Sequence, residues 1–175
     1  METCDAKNIF RYVLAWLEEN VHDTSKIAMQ KCLFYLEEKG IKMGLDFEPY
    51  SYGPFSRKVM EIASELEQNN EISIEHNKYT PINTEKITKN SLLEHEQQRR
   101  IKKYLDEFRQ LLNNEFSFDN LELYGTALYC IRALQENGLK FDKESVIHEF
   151  KAWKGHKYHE AQIEQAYEAL TSVFA

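Results

Sequence analysis

Few of the 175 residues have the types and spacings that covalent or metal chemistry needs. His148, His156 and His159 gather near the C-terminal end beside Trp153 and Tyr158, and imidazole is a common metal ligand. His156 and His159 stand three apart, as on one helix face, but Gly155 precedes them and no cysteine or acidic pair completes a metal-binding spacing. Their expected role is to cap or join the last two helices, without a metal. Cys32 falls on an apolar helix face, where a thiol is protonated and inert. Glu18-Glu19 and Glu37-Glu38 sit at helix ends as solvated charge and not as an acid–base pair. No GxSxG, P-loop, HExxH or dinucleotide fingerprint occurs. These residues point to a non-enzymatic protein that needs no cofactor.

Recognition chemistry is better represented, in the stretch FEPYSYGPFSRKVMEIASELEQNNEISIEHNKYTP from Phe47 to Pro81. Tyrosine and arginine are favoured in the energetic centres of protein interfaces, so Tyr50, Tyr52, Gly53, Pro54, Arg57 and Lys58 form the candidate partner-binding set. Within it, Phe47, Tyr52 and Phe55 are expected to pack into the core and Tyr50 to be partly exposed. An alternative use of the stretch is nucleic-acid binding, with Arg57 and Lys58 on phosphates and Asn77 and Lys78 at a wing tip in the minor groove. Charge opposes that use. The chain carries a net charge of -7, with 9 basic against 14 acidic residues before Asn83, and Glu61, Glu65 and Glu67 follow on the same helix. The densest basic run, Arg99, Arg100, Lys102 and Lys103, reads as a solvated helix face with Glu96 and Asp106 as partners.

The elements that must position these groups follow from periodicity. Ile9, Phe10, Val13, Leu14, Leu17 and Val21 mark one face of a first helix that Asp5 can cap. Thr24 or Ser25 can cap a second, which ends at Gly40 and buries Ile27, Ala28, Cys32, Leu33, Tyr35 and Leu36. Gly53-Pro54 marks a sharp turn with a backbone conformation special to glycine, and Pro54 is expected in the first turn of a third helix that buries Phe55, Val59, Ile62, Ala63 and Leu66. Ile72 and Ile74 alternate with polar neighbours, His76-Asn77 can turn, and Tyr79 to Ile82 can return as a second strand. Helix, break and small hairpin make a winged helix-turn-helix outline. A polar segment from Asn83 to Asn90 is the candidate boundary. Beyond it come helices over Ser91 to Asn114, Leu121 to Asn137, Asp142 to Trp153 (capped by Asp142 or Ser145) and His159 to Phe174.

The expected fold is therefore mainly α: a winged-helix-like part over 1–83 with a small β-hairpin, and a helical extension over 84–175 packed on it. Hydrophobic residues make up 42% and charged residues 29%, an ordinary globular balance. Three cysteines without a CxxC fit a reducing compartment, and neither a membrane-length apolar run nor a secretory signal is visible. A soluble cytoplasmic protein is expected.

MQKCLFYLEEKG (Met29 to Gly40) and FEPYSYGPFSRKVMEIASELEQNNEI (Phe47 to Ile72) resemble the Panacea domain of SocA-type antitoxins and the related YwgA-like bacterial proteins. Gln30, Lys31, Leu33 and Tyr35 match the family's KLQKLLYF-like block, and Tyr52, Gly53, Pro54 and Phe55 its YGP turn. Trp153-Lys154 and the helix around Ala166 to Leu170 extend the likeness toward the C-terminus. The resemblance implies a winged-helix-like domain that neutralises a toxin by direct contact or hands a partner to a protease. A protein partner, a toxin or a protease target, is thus expected; a homodimer is compatible with the sequence, and a winged-helix transcriptional regulator that binds DNA as a dimer is the alternative.

Overall fold

In a computed structural model of the chain, residues 5–85, 87, 92–139 and 141–174 are described. The expected helix start at Ser91 and part of the Asn83 to Asn90 boundary lie outside them. The described residues form α1 (Ala6–Asn20), α2 (Lys26–Glu38), a hairpin of β1 (Glu48–Tyr50) and β2 (Gly53–Phe55), α3 (Arg57–Gln68), a second hairpin of β3 (Ile72–Glu75) and β4 (Lys78–Pro81), then α4 (His95–Leu111), α5 (Phe118–Glu136), α6 (Lys143–Lys154) and α7 (Glu160–Phe174). The fold is mainly helical, with two small antiparallel sheets. No described helix is long and apolar enough to cross a membrane.

Local chemistry starts most helices. The Asp5 carboxylate accepts from the amides of Lys7 and Asn8 at the head of α1. Ser25, not Thr24, caps α2 through the amide of Ala28. At α6, Asp142 and Ser145 are the two halves of one capping box, each side chain satisfying the other residue's backbone N–H.

Two helices lie at the centre. α2 buries every residue from Ala28 to Leu36, and α5 every residue from Leu121 to Leu128. A helix apolar on one stripe can sit at the surface; one buried all round must be covered on every side. α2 is covered by α1, α4, α5 and β2, and α5 by α2, α6, α7 and β2. Both hairpins pack on this frame. The second places Tyr79 edge-on to Phe10 at 5.5 Å, and the Arg11 guanidinium holds the buried Glu71 carboxylate with two 3.0 Å hydrogen bonds.

The central stretch departs from its sequence reading in three ways. Pro54 is not in a helical turn: Gly53 to Phe55 is a strand paired with Glu48 to Tyr50, and α3 begins at Arg57 with Ser56 as its cap. Phe55 consequently leaves the apolar face of α3, whose buried residues are Val59, Ala63 and Leu66. Tyr52, expected in the core, is 54% exposed. The physical reason is common to all three. Gln30 of α2 binds both the amide and the carbonyl of Ser56, so the chain stays extended to that point and the helix starts where Ser56 accepts from the amide of Val59.

Candidate functional site

The hairpin β1–β2 sits on a buried polar cluster built from α2, α5 and α6. On α2, consecutive side chains grip the backbone at its exit. The Gln30 carboxamide donates to the Ser56 carbonyl and accepts from the Ser56 amide, both at 2.9 Å, and the Lys31 ammonium donates to the Pro54 carbonyl at 2.9 Å. Ser56 Oγ completes the anchor by donating to the Leu45 carbonyl at 2.6 Å. From the opposite side, Lys154 Nζ donates to the Ser51 carbonyl at 2.6 Å, so ammonium groups from two helices hold both ends of the turn.

Glu122 of α5 neutralises this charge. It is fully buried and accepts from Lys154 Nζ at 3.0 Å, Lys157 Nζ at 2.5 Å and Tyr158 OH at 2.6 Å. Burial alone would push its carboxyl up; the bonds from Lys157, Tyr158 and Lys154 outweigh burial and hold it below the usual range. Lys31 meets the reverse balance. Burial pushes its amine down to about 7, against the attraction of Glu122 and with the repulsion of Lys154.

Two glycines make the slot for the Lys31 stem. A Cβ on Gly125 would lie 2.8 Å from Lys31 Cδ, and one on Gly53 3.3 Å from Lys31 Cε and 3.1 Å from Thr126 Oγ1. Gly53 also has φ +100, which L side chains rarely adopt, so it is required twice over. Thr126 Oγ1 is buried there without a hydrogen-bond partner among the described residues. A lysine whose amine titrates near neutrality is a familiar nucleophile, but Lys31 is 3% exposed and engaged with Pro54. Its geometry is that of a clamp.

What the clamp presents is aromatic. Tyr50, 58% exposed, stacks on Phe55 at 5.1 Å, and Tyr52 meets the ring of Phe118 edge-on at 4.9 Å, with Lys157 Nζ above both of those rings. Between the hairpin and α3 runs an open groove of about 740 Å³ lined by Tyr50, Phe55, Arg57, Met60, Glu61 and Glu65 among others.

The structure distributes the sequence candidates over several roles. Tyr50, Tyr52 and Arg57 are exposed around the hairpin, whereas Gly53 and Pro54 are buried beneath it. Lys58 is exposed and paired with Asp46 at 2.5 Å. Asn77 and Lys78 belong to another edge: the Asn77 carbonyl accepts from the Lys26 amide at 2.8 Å and Lys78 bridges to Ser25. That hairpin tip is joined to the start of α2. His148, His156 and His159 form no metal-binding group, and none occurs among the described residues. Cys32 is buried, and burial pushes its thiol far up.

Sequence reasoning missed Lys31, Glu122 and Lys154 as a cluster. The available signal was a lone charge inside a run buried on all faces, Lys31 within AMQKCLFYL and Glu122 within LELYGTAL. No family model matches the chain, and no curated protein matches it either.

Two outcomes follow. Gly125→Ala, which in an ordinary helix gains about 1 kcal/mol, should here cost about 1–3 kcal/mol in urea unfolding, and should turn stabilising in a Lys31→Ala background. For pH, the unfolded chain keeps the Lys31 proton up to 10.5 while the folded chain releases it above about 7. The unfolded state therefore binds more protons across that window, and stability should rise by about 2 kcal/mol between pH 7 and 9 before the buried thiols reverse the trend. Lys31→Met should flatten that rise.

Proposed function

We propose that this chain is a non-enzymatic protein-interaction module of winged-helix type, acting as an antitoxin or adaptor of the Panacea kind, with the clamped aromatic hairpin as its recognition element. The observation that carries this reading is the exposure of Tyr50 and Tyr52 on a turn whose carbonyls are fixed from below by Lys31 and Lys154. Large rings held in place lose little side-chain freedom on binding, which is how interface hot spots are built.

The Panacea resemblance gains physical support from the same bonds. Its two blocks, Gln30-Lys31 and Tyr52 to Phe55, are more than twenty residues apart in sequence, and they meet through the Lys31–Pro54 contact and the adjoining Gln30–Ser56 pair. The winged-helix reading is supported by the order α1, α2, α3 and hairpin β3–β4, with β1–β2 as an insertion before α3. DNA binding has less in its favour, since Lys58 is paired with Asp46 and Glu61 and Glu65 share the exposed side of α3 with Arg57.

Affinity capture from source cells with the wild-type chain and with the double variant Tyr50→Ala, Tyr52→Ala tests the reading. The wild type should retain one protein stoichiometrically, and the variant should lose it while melting within a few degrees of wild type. Capture of no protein, together with a DNA mobility shift that weakens steeply with salt, would replace the reading with the regulator.

A further inference from the structure

We infer that the groove between β1–β2 and α3 receives an amphipathic helix of the partner protein, with an apolar anchor at its hairpin end and basic residues one to two turns beyond. This rests on the interaction reading and names the chemistry of the partner segment.

Three observations lead there. First, the groove is open and follows one helix face. Arg57, Met60, Glu61 and Glu65 repeat at steps of three and four along α3, with Tyr50 and Phe55 closing the end near Arg57. Such a furrow, apolar at one end and about three turns long, has the shape of helix-in-groove recognition.

Second, the hairpin edge cannot take up a strand. Pro49 lies opposite Pro54, so neither strand has an N–H at that pair. The outer edge of β1 there offers a carbonyl and no donor, while the Pro54 carbonyl is occupied by Lys31. Contact on this face must pass through side chains.

Third, the charges of α3 run against its own dipole. The first turn holds Arg57 and Lys58 and no acid; the last turn holds Glu65 and Glu67 and no base. Lys58 and Glu67 have uses in the fold, one with Asp46 and the other accepting from the Ile74 amide. Arg57 and Glu61 stand four apart on α3, yet neither makes an ion pair within 4 Å among the described residues; Glu61 feels the charge of Lys58, which Asp46 already holds. Among the described residues Glu65 pairs with the half-buried Lys7 alone, which a partner cation can replace. The acidic half of the groove, on a chain of net charge -7, is complementary to a basic segment.

The probe is a pair of fluorescein-labelled helical peptides of about 15 residues with one leucine face, one carrying lysines and arginines on its flanks and the other glutamates at those positions. By anisotropy at physiological salt, the basic peptide should bind at least tenfold tighter. Glu61→Lys with Glu65→Lys should reverse that preference. The control Glu115→Lys with Glu168→Lys, equal in charge but outside the groove, should leave it in place, and Met60→Glu should abolish binding of the basic peptide. Arg57→Glu should melt no lower than wild type, because it removes a charge opposed to the helix dipole. Equal binding of both peptides, or equal effects of the groove and control reversals, overturns the inference. If that happens while the Tyr50/Tyr52-dependent capture succeeds, the groove assignment alone falls; if both fail, the interaction reading falls with it.

Discussion

The attachment of the Pro54 to Ser56 backbone to two adjacent side chains of α2 is the constraint on which the rest depends. A strand of three residues with proline at its centre has too few ladder bonds to hold itself in place. Gln30 supplies both partners that Ser56 lacks, and Lys31 supplies the donor for Pro54. Ser56 is thereby fixed where it can cap α3, so one anchor sets the hairpin and the direction of the following helix together. From there the chain reaches the second hairpin, whose backbone returns to the start of α2 through Asn77 and Tyr79.

The polar cluster under the hairpin is an expensive way to build a core. Three ammonium groups and one carboxylate meet where an apolar set could pack, and buried ions are stabilising only when every member is satisfied. Glu122 is, with three donors. Lys31 is satisfied as a hydrogen-bond donor but disfavoured as a charge, which is why its amine falls toward neutrality. Such an arrangement costs stability and gives positional precision to the turn above it. On that turn stand Tyr50 and Tyr52, exposed to solvent and each resting against a neighbouring ring, Phe55 and Phe118.

Much of the architecture was legible because it is written in periodicity and caps. The helices, the β3–β4 hairpin and the special backbone at Gly53 all follow from local rules about spacing, serine or aspartate caps and glycine. The first hairpin was illegible for a local reason: Pro54 is as acceptable at a helix start as in an edge strand, and only the tertiary anchor at Ser56 decides. The cluster was harder still. Lys31, Glu122 and Lys154 are separated by long stretches of chain, and nothing in sequence spacing says that Gly125 and Gly53 face each other across a lysine stem. The exposed tyrosines were only half legible: Tyr50 was expected to be partly exposed and Tyr52 was expected in the core, since its outward direction depends on the strand that periodicity did not reveal.

The central claim is that α2 holds the aromatic hairpin rigid through Lys31. Amide hydrogen exchange on the wild type and on Lys31→Met, compared at equal overall stability, tests it most directly. The account predicts that amides from Tyr50 to Ser56 lose at least tenfold in protection in the variant while those of α1 and α5 keep theirs. Unchanged protection across Tyr50 to Ser56, with the lysine gone, would contradict it.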